Sequence, residues 1–154
     1  MSTTDDKRGM DELERRLKQL ARTEVRVGVL QPTPTDDGES TVAVVAAAHE
    51  HGTRHVPQRS FIGRTIDGER EKIAGLQAQA IDRVLAGELG VEQAAGAVGA
   101  KVASMIRGTI RSSVPPPLAP ATVKAKGGNS RTLIESGQLL RSIAFEVGEE
   151  AAGG

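Results

Sequence analysis

Three histidines stand close together in the segment HEHGTRH: His49, His51 and His55, with Glu50 between the first two. Imidazole nitrogens and carboxylates are ordinary ligands of zinc, and a metal held there would activate water for hydrolysis. The spacing argues against it. On a helix, positions i and i+2 point roughly 160–200° apart, whereas paired ligands recur at i and i+4. Solvated or interface histidines are the ordinary reading, and a metal-dependent enzyme built on this cluster is the alternative. A Ser/His/Asp set can be drawn from Ser60, His55 and Asp67, but no G-x-S-x-G elbow supports it. Glycine-rich phosphate loops of the G-x-G-x-x-G or P-loop kind are missing as well. The chain has no cysteine, which excludes a disulfide framework, a thiolate nucleophile and a Cys-ligated zinc. No catalytic residue, cofactor or metal is expected, and the protein reads as a non-enzyme.

The cationic side chains are the next candidates, and they are segregated. The 154 residues balance 20 Lys+Arg against 20 Asp+Glu. Residues 1–50 carry ten acids and seven bases, and residues 51–92 carry six of each. From 93 to 134 there are six bases and no acid: Lys101, Arg107, Arg111, Lys124, Lys126 and Arg131. The remainder carries four acids and one base. A solvated helix face would explain this, and so would complementarity between copies of the chain or approach to a phosphate backbone. A DNA-binding regulator using 93–134 is a further alternative. Its helix offers only three bases among Ala and Gly, where a sequence reader clusters Arg, Asn or Gln on one face. Phe61 and Phe145 are the only aromatics, too few for base-stacking platforms.

These residues must be positioned by a thin core. Gly and Ala make up about a quarter of the chain, and Val, Ile, Leu and Phe total 35 residues. A core of that size is often completed by neighbouring subunits. Residues 1–10 read as a disordered tail, 11–147 as a single α+β domain, and 148–154 as a second disordered tail. Within the domain, Met10, Leu13, Leu17 and Leu20 recur at helical steps through Arg22. EVRVGVL (24–30) alternates as a strand with one buried side. Residues 31–40 form a Pro- and Asp-rich loop. Ser40 or Thr41 caps a short helix that Gly52 ends. Pro57 keeps 53–59 extended. Ser60 is the expected N-cap of a long helix through Val84. A Gly turn then leads to a second helix over 91–113, completing an antiparallel hairpin. Gly96, Gly99 and Gly108 weaken that helix by roughly 1 kcal/mol each and are expected to let helices approach closely. Residues 113–120 form a Pro-rich linker, 135–143 a short helix or turn, and 143–147 a strand. Both long loops, 31–40 and 113–131, are expected to order against neighbours. A small sheet of N- and C-terminal strands should pack on the helical hairpin. No apolar run approaches the ~20 residues of a membrane span.

One ordered pair of motifs goes further. AVVAAAHEHGTRHVPQRSFIGRTID joins a short helix, an acid, Gly-Thr, Pro-x-Arg-x-Phe and a long helix. About fifty residues later come PPPLAPATVKAKGG and TLIESGQLLRSIAFEV. This order resembles the tail-completion, or head–tail joining, proteins of long-tailed bacteriophages, over roughly Val42–Val147. His51 stands where that family favours an aromatic, and Ser60 where it often has a second proline. The motif residues Gly52, Thr53, Pro57, Phe61, Ser136, Gly137 and Phe145 read as builders of the fold. Arg54, Arg59 and Arg64 read as contacts to a partner's carboxylates, together with the six bases of 93–134. The resemblance implies a structural virion protein at the neck, assembled in the host cytoplasm. It implies a homo-oligomeric ring, six-fold by analogy with tail tubes, that completes the tail and joins it to the connector. DNA would pass through the channel without sequence-specific binding, and no membrane is involved.

Overall fold

The computed structural model describes residues 3–125, 127 and 137–150. In chain order the elements are α1 (Thr3–Arg22), β1 (Thr23–Val29), α2 (Val42–His51), α3 (Ile62–Gly68), α4 (Arg70–Leu85), α5 (Val91–Arg111), α6 (Pro120–Ala125), α7 (Gln138–Ser142) and β2 (Ile143–Glu149). The architecture is α+β. β1 and β2 pair antiparallel from Thr23↔Glu149 to Val29↔Ile143, and the ribbon lies on α5. Two strands alone are marginal in water, so α5 supplies the apolar surface that holds them.

The main core gathers around the C-terminal half of α5. Val102, Ala103, Ile106 and Ile110 meet Phe61, Val42, Ala46, Val114, Leu139 and Ile143. A second, smaller cluster joins Val84, Val91 and Ala94 with Leu20 of α1 at the hairpin's turn. That turn uses Gly87 at φ 77°, where a side chain would be strained.

Three expectations change. Residues 3–10 are helical, so α1 starts well before the expected boundary at residue 11. Asp5 and Asp6 in its first turn complement the helix dipole there. At the other end β2 runs past 147, and the Glu150 N–H donates to Arg22 O at 2.7 Å. Finally, the long helix before the hairpin turn is two helices, broken at Gly68-Glu69, where Glu69 adopts φ −110° and ψ 15°. Residues 1–2 and 151–154 of the expected tails lie outside the described residues.

The glycines of α5 also act differently from the expected helix–helix approach. Gly99 is buried under the sheet: a Cβ there would stand 2.7 Å from Phe145 Cδ2 and 2.9 Å from Val25 Cγ1. Gly108 meets nothing within 4 Å. Gly108→Ala should therefore raise stability by about 0.5–1 kcal/mol through helix propensity alone. Gly99→Ala should lower it by about 1–2 kcal/mol, because overpacking outweighs the same propensity gain. Urea denaturation of the two variants measures both signs.

Among the described residues, no helix is long and apolar enough to cross a membrane.

Candidate functional site

The first motif folds into a chain reversal organised by Glu50. The Thr41 hydroxyl caps α2 by accepting the Val44 N–H at 3.3 Å. Gly52 ends the helix at φ 75°, and its N–H donates to Ala48 O at 2.9 Å. A Cβ at Gly52 would meet Gln58 backbone and side chain at 3.1 Å, so both the angle and the space demand glycine. Thr53 Oγ1 then accepts the N–H groups of His55 at 3.2 Å and Val56 at 3.0 Å, closing a tight turn. The returning segment is tied to α2 by Arg59 N–H to His49 O at 2.7 Å and Gln58 Nε2 to Glu50 O at 3.1 Å.

That reversal brings the start of α3 onto the Glu50 carboxylate. Oε2 accepts the N–H groups of Phe61 and Ile62, both at 2.9 Å. Oε1 accepts the Gly63 N–H at 2.8 Å and the Ser60 hydroxyl at 2.7 Å. A helix leaves its first N–H groups without internal partners, and a negative charge there is favoured by the dipole. Burial pushes the Glu50 carboxyl up, but the Ser60 hydroxyl and the Gly63, Ile62 and Phe61 N–H groups outweigh it. The net position is below the usual carboxylate range. Ser60 is thus a donor to the cap rather than the cap itself; Phe61 holds the N-cap position and makes no side-chain capping bond.

The histidines do not converge. His49 and His55 line one groove, while His51 is exposed at the end of α2. Among the described residues no group of three His, Asp or Glu is arranged to hold a metal ion. Glu50, the carboxylate of that motif, has both oxygens occupied at α3.

The cationic residues divide. Arg54, Arg64, Lys101, Arg111 and Lys124 are exposed, as a surface role requires. Arg59 is not: it is 5% exposed, and its Nε donates to Pro116 O at 2.9 Å, tying the Pro-rich segment to the reversal. Arg107 is half-buried and donates to Ile143 O at 2.5 Å, pinning the start of β2 to α5. Lys126, Arg131 and Ser136 lie outside the described residues. Gly137 takes φ 76° just before α7, and its carbonyl accepts the Arg141 N–H at 3.0 Å. Phe145 faces Gly99 as the inward position requires, yet 39% of it stays exposed because a two-stranded ribbon leaves its flanks open.

Between these parts lies a groove of about 670 Å³. Val42, Val45 and His49 of α2 form its floor with Leu139; His55–Pro57, Arg59 and Pro117–Ala119 line it further. The loop 31–40 forms another wall and is held by contacts within the chain. Pro34 bridges Thr41, Thr35 N–H donates to Ser40 O at 3.0 Å, and Gln138 Nε2 donates to Pro34 O at 2.7 Å. The volume is that of a binding cleft, with apolar walls and a few polar groups.

No family model, no curated protein and no solved structure matches this chain.

Proposed function

We propose that this chain is a structural virion protein of a tailed bacteriophage or prophage. It forms a homo-oligomeric ring at the head–tail junction, most simply a hexamer, which completes the tail and meets the connector. The resemblance of the two ordered motifs to tail-completion proteins is the basis of the reading. One observation supports it above the others: the two motif halves share a core. Phe61 from the first packs in one cluster with Leu139 and Ile143 from the second, across α5. A ring subunit works by shape and cohesion, and a packed core with exposed cationic side chains suits that work. Arg54 and Arg64 are the exposed arginines of the first motif and are assigned to contacts with carboxylates of neck partners.

Electron microscopy of particles that co-purify with the protein tests the reading. A ring between portal and tail tube is the expected result, and a soluble monomer with enzymatic turnover would overturn it. Arg54→Ala/Arg64→Ala should leave stability within about 0.5 kcal/mol, as exposed substitutions do. The same variant should reduce incorporation into tails, measured by quantitative mass spectrometry of purified particles.

A further inference from the structure

The outer edge of β2 is open. The Glu150 N–H donates to Arg22 O, which continues the register of Thr23↔Glu149. Bonded and non-bonded pairs alternate along an antiparallel ladder. Gly148, Glu146 and Ala144 therefore also turn their N–H and C=O groups to β1, and those of Val147 and Phe145 point away from it. Among the described residues, these outward groups make no other hydrogen bond. Ile143, at the start of the edge, has its carbonyl on Arg107. The β1 side differs: Gly28 is buried there, with Ile62 of α3 3.7 Å from where its Cβ would stand. An open strand edge is a template for another strand.

The open surface continues onto α5, whose residues step round its axis by about 100° each. On one side Val91 and Ala94 meet Val84 of α4, and Thr65 of α3 donates to Thr109. Gly99 lies under both strands, and Gly96 and Arg107 lie under Phe145 and Ile143 on the β2 side. The next positions round are Gln93, Ala97, Ala100, Ser104 and Gly108. All five are exposed, and all but Gln93 are small. Lys101 and Arg111 flank them, also exposed. Glu92 stands in the first turn of α5 with no ion pair among the described residues.

We infer that β2 pairs antiparallel with β2 of a second copy of this chain, about a two-fold axis at Phe145. The strand order becomes β1-β2-β2-β1. In this register Phe145 meets Phe145 and Ile143 meets Val147, all on the α5 face, so the outward backbone groups find partners. Each Glu146 lies opposite the partner's Ala144, and its carboxylate is already 3.5 Å from Arg26 of its own chain. Sliding the strands to centre on residue 146 would oppose two glutamates. Neighbouring strands are about 4.8 Å apart, so the two α5 helices, each over its own strand pair, come within about 10 Å. That is the spacing of packed helices, and small residues on the facing sides allow it. The axis passes beside Gly96 and Gly99, which lie under Phe145. Antiparallel α5 helices then set the partner's Glu92 opposite Ser104, between Lys101 and Arg111. This charge match, with the small face, selects a second copy over an unrelated strand. The contact closes at two copies, whereas a ring needs two different patches, so the inference does not rest on the ring.

Disulfide trapping tests it in the full-length chain, which has no cysteine of its own. A tagged chain carrying Ala144→Cys is mixed with an untagged one carrying Glu146→Cys and mildly oxidised. The two positions are neighbours across the axis, so a mixed disulfide is expected. A control pairing Gly148→Cys with Glu146→Cys, four residues out of register, should give none. Sedimentation equilibrium of the native chain should show a dimer. Val147→Pro removes an N–H that points away from β1, so the ribbon keeps its ladder. Ala97→Arg fills the helix contact from an exposed position. Each should weaken the dimer about tenfold or more, with the far-ultraviolet circular dichroism unchanged. A native chain that stays monomeric overturns the inference, and so does a dimer that neither variant weakens and no Ala144–Glu146 disulfide joins. Microscopy keeps the two readings apart: rings without the disulfide sink the strand pairing alone, and the disulfide in a chain that never enters tails sinks the neck reading alone.

Discussion

Replacing Phe61 by alanine is expected to cost about 3–5 kcal/mol and to leave the chain largely unfolded at 37 °C. Phe61 is fully buried, and among the described residues it is the largest side chain so enclosed. Truncation removes its transfer energy and leaves a cavity among Val102, Ile106, Leu139 and Ile143, whose backbones belong to three separate elements and cannot all close in. Small domains have about 5–15 kcal/mol in total, and a core this lean lies toward the lower end. Phe61→Leu keeps most of the volume and should cost only about 1–2 kcal/mol. Urea denaturation followed by far-ultraviolet circular dichroism measures both. Equal losses for the two variants would show that the ring does not anchor this core.

Glu50→Ala should cost about 2–3 kcal/mol. Four hydrogen bonds end on the carboxylate, each of a kind worth about 1.5–3 kcal/mol when one partner is charged. The loss is smaller than their sum because the site is half-buried and water replaces part of the cap. Glu50→Gln keeps an acceptor oxygen and should lose about 1–2 kcal/mol. The sign of the pH dependence follows from the direction of the shift. The folded carboxyl titrates below its unfolded value, so its stabilisation is complete above the unfolded value and fades as pH falls through the folded one. Melting temperature should therefore drop on acidification through the carboxylate range in the native chain, with a shallower drop in Glu50→Gln. Parallel curves would remove Glu50 from the account. A double-mutant cycle with Ser60→Ala isolates the hydroxyl's share.

Periodicity and punctuation made most elements legible. The alternation of Val25, Val27 and Val29 marked β1, the Gly52 stop marked the end of α2, and the apolar stripe from Val91 to Ile110 marked α5. Glu50 was not legible as a helix cap. Its donors lie ten to thirteen residues away, across a reversal that only the Gly-Thr turn creates, so no local spacing rule reaches them. Ser60, adjacent to the helix, took the role by proximity in sequence. Arg59 misled for a related reason. A basic residue on extended chain reads as solvated, and its burial depends on Pro116, 57 residues away. The start of α1 has no sequence signal beyond Asp5 and Asp6, because residues 3–9 carry no apolar anchor.

The pairing of β1 with β2 also sets an order of events in synthesis. Val29 meets Ile143 and Thr23 meets Glu149, so partners are separated by 114 to 126 residues. β1 leaves the ribosome more than a hundred residues ahead of β2 and must wait for that whole stretch before its hydrogen bonds can form. The α4–α5 hairpin, made of local contacts, can assemble meanwhile, since local contacts form faster than distant ones. Its α5 face then offers Gly99 as a seat for Val25 before Phe145 arrives to close over it. Until then β1 is an open edge, the kind of segment that pairs with the wrong strand. Arg26 and Glu24 on that waiting strand keep it charged, and their mutual ion pair at 3.1 Å survives in the finished sheet.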